Sequence, residues 1–251
     1  MIEIDRIGFA IGKSEILNEV SALLPRGKMT AIIGPNGAGK STLLSLIARL
    51  ISPASGTIRV DGHDVQQTAS DTLARILAVL RQENVIASRL RVRELVGFGR
   101  FPHTRGQPDA QDGEKIQWAL DLMALATFAD RFLDQLSGGQ RQRALIAMIL
   151  CQDTDYILLD EPLNNLDLFH SRKLMQVLQD MAHRLGKTPV LVIHDINYAA
   201  KYADNILAMK QGGVFANGPT QAIFDDKLLS ELFDTPIRIH QIDGQPVAMH
   251  H

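Results

Sequence analysis

Residues 34–42 read Gly34-Pro35-Asn36-Gly37-Ala38-Gly39-Lys40-Ser41-Thr42. The order is that of a phosphate-binding loop: Gly, four residues, Gly, Lys, then Ser or Thr. Glycines let the backbone curl so that successive N–H groups point inward and form an anion nest. Lys40 is placed to reach β- and γ-phosphates, and the Ser41 hydroxyl to ligate Mg²⁺. The apolar run Met29 to Ile33 reads as a buried strand before the loop, and Thr42 to Leu50 as a helix after it. The helix N-terminus then faces the phosphates, where backbone donors and macrodipole both favour negative charge. The bland reading is a glycine-rich turn, and the flanking strand and helix favour nucleotide binding over it.

Four further stretches carry chemistry. Asp160 and Glu161 follow the apolar strand 156–159 and precede Pro162. A carboxylate at such a strand end holds Mg²⁺, which suits Asp160, and the next carboxylate can orient and polarise an attacking water, which suits Glu161. An acidic helix cap is the plainer explanation when the pair is taken alone. Leu136-Ser137-Gly138-Gly139-Gln140 offers an N-cap and an open backbone at a helix start, and so a second anion site. No lysine or Mg²⁺ ligand pair accompanies it, so it should close over a phosphate held elsewhere. His194 ends the strand 190–193, where an imidazole can bond a γ-phosphate. Gln82 ends another strand, where its amide can contact Mg²⁺ or the attacking water. Each of these last two is weak by itself.

The elements that must position these groups alternate in type. Strands are expected at 2–10, 14–24, 56–62, 76–80, 156–159, 190–193, 205–209 and 213–216. Helices are expected at 71–75, 92–97, 109–127, 138–151, 168–185, 196–203, 220–224 and 226–233. Asp109 is a plausible cap for the helix carrying Ile116, Leu120, Met123 and Leu125. Residues 83–135 contain no convincing strand, and 99–108 reads as an irregular, partly basic loop. The stretch is a helical insertion in an otherwise α/β chain, whose alternating strands and helices imply a mostly parallel sheet.

Bulk properties narrow the class. With 251 residues the chain can bury a large core. A net charge of −2 gives no reason for non-specific nucleic-acid binding or a polybasic membrane anchor. The single cysteine, Cys151, excludes a disulfide framework and sits in an apolar helical run as a buried, inert thiol. No apolar stretch approaches the ~18–20 residues that span a bilayer, so action at a membrane requires docking on another protein. The start, MIEIDRIGFA, lacks the pattern of a secretory signal. Met249-His250-His251 reads as a solvated tail rather than a metal site.

Motifs of this kind in this order resemble the ATP-binding cassette of ABC transporters. Residues 34–42 look like Walker A, Gln82 like the Q-loop glutamine and 136–140 like the signature motif. Residues 156–161 look like Walker B with its glutamate, 164–167 like the D-loop, and His194 like the switch histidine. The resemblance implies a single cassette over 1–251, a phosphate-loop core with an antiparallel β subdomain, and a helical subdomain at 83–135 continuing into the signature helix. It implies Glu161, His194 and Gln82 as catalytic residues. It implies ATP held by 34–42, with Ser137, Gly138, Gly139, Gln140 and Asp167 acting across a head-to-tail dimer, and Mg²⁺ on Ser41, Gln82 and Asp160. Two departures stand out. Ile11 occupies the position where the family stacks an aromatic residue on adenine, with Phe9 nearby but out of place. Asn164 replaces the commoner Ser or Thr that opens the D-loop.

Within the family, a lone cassette with no fused span is similar to bacterial importer components on the cytoplasmic face of the membrane. Such components serve permease subunits directly and a periplasmic or lipoprotein substrate-binding protein indirectly, with no nucleic-acid partner. Leu95-Val96-x-Phe98-Gly99-Arg100-x-Pro102 resembles ATPases of iron(III)-siderophore and vitamin B12 importers. The run 153–167 with His194-Asp195-Ile196-Asn197 looks most like the catecholate-siderophore subgroup, such as the petrobactin and vibriobactin systems. Vitamin B12 or haem import, and a non-transport role such as iron–sulfur assembly, stand as alternatives. The signature motif and His194 oppose a phosphate-loop kinase.

Overall fold

Alternating apolar residues at the start of the chain build an antiparallel pair, β1 (Ile2–Ile11) and β2 (Ser14–Leu24). Ile2, Ile4 and Ile7 of β1 are buried with Leu17, Val20 and Leu24 of β2. A computed structural model of the chain describes residues 1–82, 89–104, 106–107 and 109–250, with His250 as backbone alone. It divides into two compact units, residues 1–68 with 175–251, and residues 69–174.

In the first unit the fully buried β3 (Thr30–Ile33) leads through residues 34–39 into α1 (Lys40–Ile47). β4 (Ser55–Val60) pairs the other edge of β1, and the short β5 (His63–Asp64) pairs β4. The helix begins two residues earlier than its apolar residues suggest. Gly39, at φ 92°, is its N-cap, so the first turn already contains Lys40 and Ser41.

The second unit opens with α2 (Ser70–Ile76) and β6 (Leu77–Leu80). A helical group follows: α3 (Val92–Phe98), α4 (Phe101–Thr104), α5 (Ala110–Leu122) and α6 (Gly138–Cys151). The sequence expectation for 83–135 begins in residues outside those described. Inside the stretch expected to be an irregular loop, 101–104 forms a helical turn. Asp109 caps α5, its Oδ1 accepting the Asp112 N–H at 3.0 Å, and Leu120, Met123 and Leu125 are buried. The segment 95–102 is mostly internal scaffolding. Leu95 and Val96 lie in the core, and a Cβ on Gly99 would meet the Met148 carbonyl oxygen at 2.2 Å. Phe98 and Phe101 are exposed.

Arg100 donates through Nε to Asp112 Oδ1 at 2.8 Å and through a guanidinium nitrogen to the Cys151 carbonyl at 3.0 Å. The hydrogen bond from Arg100 holds the Asp112 carboxyl below the usual carboxylate range. The pair is nearly buried, so removing one partner leaves an uncompensated charge. Arg100→Ala is expected to destabilise the fold by about 3 kcal/mol in urea denaturation. Because the folded-state pKa of Asp112 is depressed, this stabilisation is present above the ordinary carboxylate pKa and is lost as pH falls through the folded value.

β7 (Tyr156–Asp160) is buried throughout and pairs β6 in parallel, with Leu80 opposite Leu159. The strand includes Asp160, one residue beyond the apolar run. α7 (Leu168–Leu185) carries the chain back to the first unit. There β8 (Thr188–Val192) and β9 (Asn205–Lys210) flank β3 in parallel, joined by α8 (Ile196–Tyr202), and β10 (Gly213–Pro219) turns back antiparallel on β9.

After α9 (Thr220–Ile223) and α10 (Asp226–Phe233) the chain forms a hairpin, β11 (Ile237–Ile242) with β12 (Gln245–His250). This corrects the reading of 249–250 as a solvated tail: Met249 pairs Arg238 and His250 pairs Ile237. Asn197 of α8 fastens the hairpin, accepting the Ala248 N–H at 2.8 Å and donating to the Ala248 carbonyl at 3.2 Å. Cys151 is fully buried, and burial pushes its thiol up to about 11.

Candidate active site

Two groups of the candidate side chains lie at the carboxyl ends of parallel strands, the place where open α/β sheets bind ligands. One belongs to each unit.

In the first unit, residues 34–39 turn between β3 and α1. Gly34, at φ 145°, packs so closely on β9 that a Cβ would meet the Met209 carbonyl oxygen at 2.0 Å. Gly39 is confined by Leu17 and Ile16 of β2, at 2.5 and 3.2 Å from a hypothetical Cβ. Gly37, at φ 79°, has nothing within 4 Å of that position. The loop is therefore clamped at both ends and open at its middle. Asn36 and Gly37 are exposed, Pro35, Ser41 and Thr42 half-buried, and Ala38 buried. Lys40 is 5% exposed, and its ammonium donates to the Gly34 and Pro35 carbonyls, both at 2.9 Å. The charge thus lies along the loop that its neighbours form. Ile11, at the end of β1, is 65% exposed.

His194 follows β8 in the same unit. The register sets Val192 opposite Ile32, so His194 and Gly34 each lie two residues past the pair. The Ile193 N–H donates to the Ile32 carbonyl at 3.3 Å, which ties the approach to His194 to the strand feeding the loop. His194 is exposed, and Asp195 beside it caps α8 through the N–H groups of Asn197 and Tyr198.

In the second unit the same geometry recurs. Leu80 and Leu159 are partners, so Gln82 and Glu161 each lie two residues beyond, and the Gln82 amide donates to Glu161 Oε2 at 2.9 Å. Asp160 is 7% exposed at the end of β7. Glu161 has φ 49°, a left-handed conformation that starts the turn after β7. A donor that the sequence reading did not assign completes the group: Asn164 Nδ2 donates to Glu161 Oε2 at 2.6 Å. The available signal is its spacing, three residues after Glu161 in a turn.

Ser137 caps α6, its Oγ accepting the Gln140 N–H at 3.3 Å while Gln140 Oε1 accepts the Ser137 N–H at 3.0 Å. The side chains of Ser137 and Gln140 are thereby turned on each other, which leaves the glycine backbone as the feature presented at the helix start. A Cβ on Gly139 would stand 2.7 Å from the Asn165 carbonyl oxygen, so the turn after Glu161 lies directly against that start. Asp167 begins α7, its Oδ1 accepting the His170 N–H at 2.8 Å and bonding His170 Nδ1 at 2.8 Å. These bonds hold its carboxyl below the usual range. Arg143, buried in α6, donates to the Met123 and Ala124 carbonyls, and desolvation lowers its pKa. Leu168 and Phe169, just past Asp167, are 82% and 70% exposed.

Ser41 and Asp160 supply a hydroxyl and a carboxylate, the hard oxygen donors that Mg²⁺ takes. Among the described residues no cluster of three or more His, Cys, Asp and Glu could hold a metal by itself. Each of the two is a single donor on its own element, Ser41 in α1 and Asp160 at the end of β7.

Comparison with known proteins gives the family. A family model described as ABC transporter matches residues 17–164. The chain is 46% identical over 250 residues to the petrobactin import ATP-binding protein YclP of Bacillus subtilis, covering 100% of this chain and 99% of the relative. It is 38% identical over 248 residues to the ferric enterobactin transport ATP-binding protein FepC of Escherichia coli, covering 97% and 90%. Among solved structures, the dimeric post-hydrolysis state of the ATP-binding cassette MJ0796 bound to ADP and Pi superposes with a TM-score of 0.79. It is 30% identical, with 88% of this chain and 99% of that one covered. With phosphate loop, glutamine–glutamate pair and capped glycine helix each on its own element, the chain belongs to the ATP-binding cassette family of ABC transporters.

Proposed function

We propose that this cassette is the ATP-hydrolysing motor of a bacterial importer for ferric siderophores of the catecholate class. The observation that carries the cargo is end-to-end similarity, 46% over 250 residues, to a protein named for petrobactin import. An ATPase does not touch the cargo, so the assignment rests on that likeness rather than on a pocket.

The chemistry follows from the residues. Backbone N–H groups of 34–42, the N-terminus of α1 and the Lys40 ammonium hold the β- and γ-phosphates. Ser41 and Asp160, with Gln82, would hold Mg²⁺, which when bound neutralises phosphate charge. Glu161 takes the proton of the attacking water as that water's oxygen bonds to the γ-phosphorus and the bond to the ADP oxygen breaks. Gln82 orients the water, and His194 donates to the γ-phosphate. Ile11 gives adenine apolar contact without stacking.

The helix start at Ser137 to Gly139 meets the γ-phosphate of a second copy bound head to tail. Two features support that pairing: a capped anion site with no ligand set of its own, and the exposed apolar pair Leu168 and Phe169 beside Asp167. The motor docks on permease subunits at the cytoplasmic membrane face, and a substrate-binding protein delivers cargo to the far side. No described helix is long and apolar enough to cross a membrane.

The test is uptake of radio-iron-loaded catecholate siderophore in source cells lacking this gene, complemented with wild type or Glu161→Gln. Uptake restored by wild type alone is the expected result. A deletion that leaves uptake of catecholate siderophores unchanged removes the cargo assignment, and vitamin B12 and haem uptake are then measured in the same strains.

A further inference from the structure

The carboxylate of Glu161 is held by two amides on the same oxygen, Oε2: Asn164 Nδ2 at 2.6 Å and Gln82 Nε2 at 2.9 Å. The two donors are anchored differently. Gln82 reaches in from the end of another strand, 79 residues away in sequence. Asn164 lies in the turn that Glu161 itself begins, closed by the Asn164 N–H donating to the Glu161 carbonyl at 3.2 Å. The next turn bond, Leu166 N–H to the Leu163 carbonyl at 3.1 Å, and the left-handed Asn165, at φ 64°, continue this path. The Asn164 contact is therefore local, made within a single turn and independent of the strand that carries Gln82.

We propose that Asn164 is a positioning residue for hydrolysis, whose side-chain amide fixes the Glu161 carboxylate while Gln82 exchanges that carboxylate for the nucleotide. The inference rests on the role of Glu161 as base. A glutamate has three rotatable bonds, and a base works only within hydrogen-bond reach of its water. A misplacement of about 1 Å is enough to reduce turnover severely. An amide N–H on an ionised carboxylate is a charge-assisted bond, strong enough to select one rotamer. The Asn164 side chain is aimed at that carboxylate, and the position is one where this chain departs from Ser or Thr.

The test uses the full chain assembled with its permease. It compares kcat and KM for ATP, and the unfolding temperature, in wild type, Asn164→Ala and Asn164→Asp. It also compares ATP-dependent dimer trapping in Glu161→Gln with and without Asn164→Ala. Asp keeps the size and turn preference of Asn while replacing the donor by an acceptor. Both Asn164 variants are expected to lose about tenfold in kcat, with KM within about twofold. Unfolding temperatures should be unchanged, and the double variant should trap as readily as Glu161→Gln. Wild-type kcat in either variant overturns the proposal. So does a loss matched by a lower unfolding temperature in both variants, or loss of the trap in the double variant. A Glu161→Gln protein that hydrolyses ATP normally would instead remove the base assignment beneath it.

Discussion

Replacing Glu161 by Gln lowers steady-state ATP hydrolysis by about 1,000-fold while ATP still binds. Gln keeps the length and shape of the side chain at the end of β7, and its oxygen can still accept the amides of Gln82 and Asn164. What it lacks is the capacity to take a proton. With product formation blocked, ATP stays between two copies, and size-exclusion chromatography with ATP and Mg²⁺ is expected to show a dimer absent with ADP. Normal turnover in this variant would place the base elsewhere.

Lys40→Ala is expected to weaken ATP binding about 100-fold, as measured by calorimetry or a fluorescent analogue. The ammonium lies along the loop on the Gly34 and Pro35 carbonyls, so the variant removes a cation and two bonds that tie the loop together. Both losses act on the phosphates. Clamping of Gly34 against Met209 and of Gly39 against Leu17 is independent of Lys40, so the fold should survive. Unchanged affinity would undo the reading of 34–42 as the phosphate site.

Some of this molecule was legible residue by residue. α6 is found over the expected 138–151 and α7 over 168–185, because long apolar periodicity with a Ser137 cap leaves little freedom. The glycines of 34–42 foretold a turn between strand and helix, and the loop does lie between β3 and α1. The loop itself shifted the start of α1: a left-handed Gly39 can cap a helix as no apolar pattern reveals. α4 was hidden by Gly99, Pro102 and Gly106, which read as loop residues although Pro102 is compatible with a first helical turn.

The hairpin β11–β12 was missed for a different reason. Its strands are short and mostly exposed, and the alternation of Ile237 and Ile239 breaks off at His240-Gln241, so periodicity is faint. Its turn residues Asp243 and Gly244 both have positive φ, the signal that an Asp-Gly pair carries. Within the candidate site, residue types gave Gln82 and Glu161, but only coordinates show that one carboxylate oxygen takes both Gln82 and Asn164.

The ends of α6 have one more consequence. Fourteen residues make a rod of about 21 Å. At its far end Arg100 holds the Cys151 carbonyl, the His103 ring bonds the Gln152 carbonyl, and the Gln152 amide grips the Ala74 and Leu77 carbonyls. A helix terminus that would otherwise fray is bolted to the segment carrying Phe98 and Phe101. The segment bearing those rings and the helix start at Gly138 and Gly139 are thus the two ends of one continuous hydrogen-bonded span.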